Sequence, residues 1–180
     1  MNFIKTAIDG IIIIEPLVFE DERGYFFEYY QKELFKKNGI ENNFVQDNQS
    51  LSQKGVLRGL HFQAPPYVQA KLIRVIKGAV LDVAVDIRKN SSTYGKHVAV
   101  ELSETNKKTL YIPEGFAHGF LTLADNTIFS YKCSNYYNKP SEGALLWNDQ
   151  DLAINWGITT PILSEKDKGA PTLKSFSTPF

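Results

Sequence analysis

Short runs of alternating apolar and polar residues, each closed by a turn signal, recur along most of this chain. They leave room for little besides β-structure. Taken in order, strands are expected at residues 3–5, 11–15, 25–29, 44–52, 56–63, 70–77, 79–88, 97–102, 109–112, 119–123 and 127–133. Turns separate them at Asp9-Gly10, Asp21-Glu22-Arg23-Gly24, Ala64-Pro65-Pro66-Tyr67, Gly78, Ser103 to Lys107 and Asp125-Asn126. Only residues 31–37 read as a full helix, with Leu34 and Phe35 inward and Gly39 as its left-handed stop. Ser164 fits as the cap of a single helical turn that Gly169 ends. The chain is expected to be irregular beyond Asn135, with the tail after Pro171 covering a surface. The pattern fits an all-β barrel or sandwich of the double-sheet jelly-roll kind. With 180 residues and no repeat or linker, one domain over residues 1–180 is expected, large enough to bury a core.

Two stretches carry histidines at defined intervals. In the first, Gly55 and five residues lead to His61, and Lys71 and six residues lead to Gly78. In the second, Pro113, Gly115 and His118 form P-x-G-x2-H. Together they resemble the two motifs of the cupin barrels, G-x5-H-x-H-x3,4-E-x6-G and P-x-G-x2-H. The departures matter chemically. Gln63 stands at the second histidine, Lys71 stands at the glutamate, and the gap between them is longer. An amide is a poor metal ligand and an ammonium repels a divalent ion, so His61 and His118 alone are too few for a tight centre. The expectation is a cupin barrel without a metal, with an ammonium where a Lewis acid would stand.

The charges balance, 20 Lys+Arg against 20 Asp+Glu, so no global field favours nucleic acid or a membrane surface. An anionic ligand would need local basic residues. A single cysteine, Cys133, rules out an intrachain disulfide and reads as a half-buried strand thiol. The apolar run from Ile11 to Ile14 is far too short to span a bilayer, and the start lacks the apolar run of a signal peptide. A cytoplasmic location is therefore expected. Gln46, Asn48 and Ser50 share one face of their strand, which suits an open sheet surface or a polar barrel lumen. Asp82 and Asp86 read as structural partners for Arg74 or Lys71.

Several longer segments then carry a more specific likeness: DERGYFFE from Asp21, FVQDNQSLSQKGVLRGLHFQ from Phe44, AKLIRVIKGAVLDVAVDIRKNSSTYG from Ala70, IPEGFAHGF from Ile112, SYKCSNYY from Ser130, LWND from Leu146 and LSEKDK from Leu163. In these the chain resembles the dTDP-4-dehydrorhamnose 3,5-epimerases along nearly its whole length. Gln150, where proline is common, and Cys133, where threonine is common, are minor departures.

The resemblance implies a cofactor-free isomerase that inverts both carbons flanking the ketone of dTDP-4-dehydro-6-deoxyglucose, giving dTDP-4-dehydrorhamnose. Protons next to a carbonyl are acidic only when the enolate is stabilised, and Lys71 suits that task. His61 is the natural base, since imidazole titrates near neutral pH. By resemblance Asp167 fixes its tautomer and Tyr131 is the acid. Arg23 and Arg58 correspond to residues facing the sugar and diphosphate; Glu28, Gln46 and Asn48 to the thymidine end; His118 to the keto sugar; Glu142 and Lys166 to further ligand contacts. Trp147 or Tyr137 reads either as a stacking partner for thymine or as packing. The family implies a homodimer that exchanges N-terminal strands, here residues 3–15, so that Arg23 or Glu28 would serve the partner's pocket. Two rival readings stay open: an epimerase that inverts one carbon or takes another nucleotide-linked 4-keto sugar, and a non-catalytic sugar-nucleotide-binding cupin. A metal-dependent cupin dioxygenase is a third.

Overall fold

The alternating runs resolve into two facing sheets in the computed structural model, which describes residues 1–180. The strands are β1 (Asn2–Lys5), β2 (Ile12–Glu15), β3 (Val18–Asp21), β4 (Gly24–Phe27), β5 (Gln46–Ser52), β6 (Leu57–Gln63), β7 (Lys71–Lys77), β8 (Ala79–Asp86), β9 (His97–Ser103), β10 (Thr109–Ile112), β11 (Phe116–Thr122), β12 (Thr127–Cys133) and β13 (Glu142–Ala144). Helices are confined to α1 (Lys32–Lys37) and α2 (Glu165–Lys168), with one 3-10 turn at Lys139–Ser141. One sheet has the order β1-β2-β10-β7-β12-β5 and the other β13-β6-β11-β8-β9. All pairings between these strands are antiparallel. The expected jelly-roll sandwich is what forms.

Each sheet exists because its strands have something apolar to bury. Between the sheets lie Ile73 and Val75 of β7, Val80 and Ala84 of β8, Phe116 and Phe120 of β11, and Phe129 of β12. The outer face of the five-stranded sheet carries Leu57, Val83, Val85, Ala117 and Leu121, and the chain after β13 covers it. That covering segment has little regular structure, but Leu145, Leu152 and Trp156 are buried and Phe176 and Phe180 pack edge-on against Phe62. Such aromatic pairs add about 0.5–1.5 kcal/mol beyond area burial. The Trp156 indole N–H donates to the Trp147 carbonyl at 2.8 Å, and Trp147 packs against the same core. A third cluster seats α1 through Phe35 against Leu72 and Tyr111. Gln31 caps that helix, and Gly39 takes the left-handed conformation expected of it.

Strand β11 is buried at every residue, so it shows no polar alternation; its start at Phe116 therefore lay hidden in the sequence, where only 119–123 was expected. β3 and the three-residue β13 were also illegible, while β4 stops at Phe27 rather than residue 29. Within one chain the strands expected to exchange, residues 3–15, find partners in their own sheet. β1 and β2 pair with each other, and β2 pairs with β10 of the same chain. The strands without a place in either sheet are β3 and β4, a hairpin exposing Phe19, Tyr25 and Phe26.

One glycine brings the two histidine-bearing strands together. Gly59 has φ 124°, and a Cβ there would lie 2.4 Å from the Gly119 Cα. Only glycine permits β6 and β11 to approach this closely. The register that results puts His61 directly opposite His118.

Candidate active site

Two walls face each other across a cavity of about 630 Å³. The five-stranded sheet contributes Arg58 and His61 from β6 and His118 and Phe120 from β11. The six-stranded sheet contributes Asn48 and Ser50 from β5, Lys71 from β7, and Phe129 and Tyr131 from β12. Pairing brings the second set together, since Tyr131 lies opposite Asn48 and Cys133 lies opposite both Lys71 and Gln46. The Gln46, Asn48 and Ser50 face is thus a polar lumen, the inward half of a strict alternation. Ile162 to Ser164 and Asp167 close one side. They are anchored because Ile162 exchanges backbone hydrogen bonds with Gly55 and Leu57.

His61 Nε2 lies 2.6 Å from Asp167 Oδ1. With Nε2–H as the donor, the neutral ring keeps a lone pair on Nδ1. Asp167 is 3 % exposed, and its other oxygen accepts the Ser164 hydroxyl at 2.8 Å. Burial pushes this carboxyl up, but the bonds from His61 and Ser164 outweigh it and hold Asp167 below the usual carboxylate range. His118 has its own carboxylate: Nε2 lies 3.0 Å from both oxygens of the fully buried Asp82. Burial lowers the proton affinity of the His118 ring, and Asp82 offsets this only in part. Neither aspartate hydrogen-bonds to Arg74 or Lys71, although Asp82 acts on Lys71 through its charge. Asp82 serves His118, and Asp86 takes Arg88, Ser91 and Thr93. A hydrogen bond between adjacent strands and one two residues along the chain leave no periodic trace.

Burial also lowers the proton affinity of Lys71, while Cys133, Asp82 and Glu142 pull the other way. Its ammonium sits 6.0 Å from the centre of the Tyr131 ring. The Tyr131 hydroxyl is pushed up by burial and by Cys133, so it holds its proton at neutral pH. Asn48 is held by its neighbours, accepting from Gln46 at 3.1 Å and donating to Cys133 Sγ at 3.6 Å.

Behind Lys71 and Tyr131 lies a smaller cavity of about 110 Å³, shared by Gln46, Asn48, Tyr137 and Glu142. Glu142 accepts from Tyr137 at 3.1 Å and is ion-paired with Lys166. Arg58 is exposed and rests on Ser52 through two 3.3 Å contacts. Arg23 and Glu28 are not brought to the cavity. Both are exposed, and Arg23 pairs with Asp21 in its own turn. Sequence reasoning missed Asp82 as the buried carboxylate behind His118, the bond from the Ser164 hydroxyl to Asp167, and the stacked Phe120 and Phe129 at the cavity, 3.9 Å between ring centres.

These donors do not suit a cupin metal. Both Nε2 atoms are committed to carboxylates, Lys71 is cationic, and Gln63 is spent on Tyr67, Tyr136 and Asn138 backbone groups. What the arrangement offers is proton chemistry: a carboxylate-supported imidazole on one wall, an ammonium and a phenol on the other.

Comparison with known proteins agrees with that chemistry. The family model described as dTDP-4-dehydrorhamnose 3,5-epimerase matches residues 5–175. The chain is 54% identical over 175 residues to the Salmonella typhimurium protein named dTDP-4-dehydrorhamnose 3,5-epimerase, covering 96% of each. The crystal structure of the enzyme of that name from Elizabethkingia anophelis superposes with TM-score 0.92 at 52% identity, covering 97% of both chains. A Legionella pneumophila dTDP-6-deoxy-D-glucose-3,5-epimerase, solved with dTDP-4-keto-L-rhamnose, gives 0.94 at 48% identity, covering 98% of this chain and 94% of that one.

Proposed function

The chain belongs to the dTDP-4-dehydrorhamnose 3,5-epimerase family, and on that footing we propose how its own residues carry the reaction. It is an isomerase of dTDP-rhamnose biosynthesis, converting dTDP-4-dehydro-6-deoxyglucose to dTDP-4-dehydrorhamnose. One observation carries the mechanism. His61 projects from one sheet, Lys71 and Tyr131 from the other, and all three line one cavity. A sugar ring lying between the walls has a base at one face and an acid at the opposite face, which is what inversion requires.

His61 Nδ1 takes the proton from a carbon next to the ketone. The C–H electrons move into the ring, and those of the carbonyl move onto its oxygen. The enolate oxygen accepts a hydrogen bond from the Lys71 ammonium. Tyr131 O–H gives a proton to the other face; its tyrosinate regains one from solvent and the imidazolium loses one. Asp167 holds the ring throughout. Repetition at the second carbon completes the conversion, with no net oxidation and so no need for a redox cofactor. Arg58 offers its guanidinium to the diphosphate, where a forked donor suits phosphate oxygens. His118 contacts the keto sugar, Gln46 and Asn48 face the thymidine end, and Glu142 and Lys166 act as a pair at the rim.

Residues 1–180 act as one domain, and the enzyme works in the cytoplasm as a homodimer. No helix is long and apolar enough to cross a membrane. The β3–β4 hairpin, with Phe19, Tyr25 and Phe26 each more than half exposed, supports the dimer, because so apolar a hairpin needs a covering surface. Exchange of the N-terminal strands, residues 3–15, carries this hairpin with them and brings Arg23 and Glu28 to the partner's cavity. Light scattering on the purified protein tests this: a monomer at micromolar concentration refutes it.

Incubation with dTDP-4-dehydro-6-deoxyglucose in heavy water tests the chemistry. Deuterium at both C3 and C5 of inverted product is expected by NMR. Label at one carbon alone would make it a single-carbon epimerase, and turnover without label would sink proton abstraction.

A further inference from the structure

Asp167, the carboxylate that orients His61, does not belong to the sheets. It rides on α2, a single turn of four residues, too short to hold its position by its own hydrogen bonds. Two residues before the helix cap, Ile162 exchanges backbone bonds with the β6 region, which fixes the segment but not the carboxylate. Besides His61, one residue, Ser164, holds the Asp167 side chain. Its hydroxyl oxygen accepts the Asp167 backbone N–H at 3.2 Å, the N-cap bond. Its O–H donates to Asp167 Oδ2 at 2.8 Å. The carboxylate is therefore gripped from both ends, Oδ1 by the imidazole at 2.6 Å and Oδ2 by the serine, with only 3 % of the residue exposed.

We propose that Ser164 is a positioning residue for the epimerisation: its hydroxyl, beyond capping α2, clamps the second oxygen of Asp167 so that the first stays on His61 Nε2. A cap needs only an acceptor, and many helices have one without a second bond. Here the same hydroxyl also donates, and the atom it donates to is the one that would swing if the carboxylate rotated. Without that bond Oδ1 and Oδ2 become interchangeable, the ring loses its fixed tautomer for part of the time, and Nδ1 is presented to the sugar less often. The inference rests on His61 as base with Asp167 as its partner.

Three variants separate the roles. Ser164→Gly keeps the helix start, since glycine is nearly as good an N-cap as serine, but has no hydroxyl. Ser164→Thr restores the hydroxyl. Asp167→Asn tests the underlying dyad. For Ser164→Gly, kcat should fall roughly ten- to a hundredfold, the scale of one hydrogen bond to a charged group, with KM within about twofold. Ser164→Thr should recover most of it. The proton shared by His61 Nε2 and Asp167 Oδ1 gives a readout that loss of a cap would not move. At 2.6 Å it should give a downfield proton NMR signal in the wild type, which Ser164→Gly should weaken or broaden and Ser164→Thr restore. If Ser164→Gly retains wild-type kcat and that signal while Asp167→Asn is crippled, Ser164 is only a cap and the proposal fails alone. If Asp167→Asn is fully active, the dyad falls and the proposal with it. Circular dichroism and thermal melting of each variant exclude a folding defect, and a threonine variant that folds but does not recover also overturns the clamp.

Discussion

Lys71→Met should uncouple activity from stability in this protein. Methionine keeps the unbranched stem that packs on β7 and removes only the ammonium, so the wall of the cavity stays filled. If the ammonium donates to the oxygen that becomes negative, its loss should cost about 2.7–4 kcal/mol of transition-state stabilisation, or roughly 10²–10³-fold in kcat. The charge on that oxygen develops only as the proton leaves, so KM should change little. Stability should move the other way. Burial lowers the proton affinity of Lys71, which means the fold disfavours the charge it carries. The folded-state value lies below the unfolded one, so this cost is present at neutral pH and fades as pH rises towards 10.5. Methionine abolishes the cost at every pH. The urea midpoint at pH 7 should therefore equal or exceed that of wild type. The assay is steady-state epimerisation followed by NMR, with denaturant curves on the same preparations. A variant that keeps its kcat but binds substrate poorly would make Lys71 a diphosphate anchor. One that loses both activity and stability would make it a structural residue.

His61→Ala should abolish both inversion and solvent exchange, a loss at or beyond the roughly 10²–10⁴-fold typical of positioned acid–base groups; residual activity above a tenth of wild type would place the base elsewhere. Tyr131→Phe should still wash deuterium into C3 or C5, because base and enolate donor remain, while yielding little inverted sugar; wild-type inversion would remove Tyr131 as the acid. Burial pushes the Asp86 carboxyl up, but the bonds from Arg88, Ser91 and Thr93 overcome it and bring it from 3.8 to about 2. A carboxyl depressed on folding stabilises the fold above its unfolded value and stops doing so as pH falls through the folded one, so roughly 2 kcal/mol should disappear between about pH 5 and pH 2. Asp86→Asn should be less stable at pH 7 and should lose less on acidification, and an unchanged acid slope would show that other carboxyls dominate.

A residue could be placed from the sequence where it leaves a local trace. Half-buried strands such as β5 announce themselves by alternation, and the α1 stop by its glycine. The positions of His61, Lys71 and His118 were legible because a turn glycine or proline lies at a fixed distance from each. β11 was truncated because a strand covered on both faces alternates nothing. The Asp82–His118 bond joins residues 36 apart, and the Ser164–Asp167 clamp depends on a rotamer. Neither the spacing nor the residue type distinguishes these groups from a solvated aspartate or an ordinary cap. Gln46, Asn48 and Ser50 show the boundary most clearly: their sharing of a face was visible, but whether that face was outside or inside depended on the second sheet.

The second sheet also explains why this scaffold suits inversion. A single strand pair could supply two proton-handling groups, but both would approach a bound ring from the same side. His61 and His118 are such a pair, opposite each other on adjacent strands. Each is tied to its own buried carboxylate, and they share a wall. A group for the far side must come from the other layer, where Tyr131 and Lys71 sit on adjacent strands, two residues apart in register. Sheets packed face to face stand about 10 Å apart. Stacked Phe120 and Phe129 fill part of that gap and floor the cavity between the walls. Proton removal and return from opposite faces are then a property of the sandwich itself, and the side chains need only be of the right kind. It follows that moving the acid to the His61 wall should convert inversion into exchange with retention, however readily the transplanted group gives up its proton.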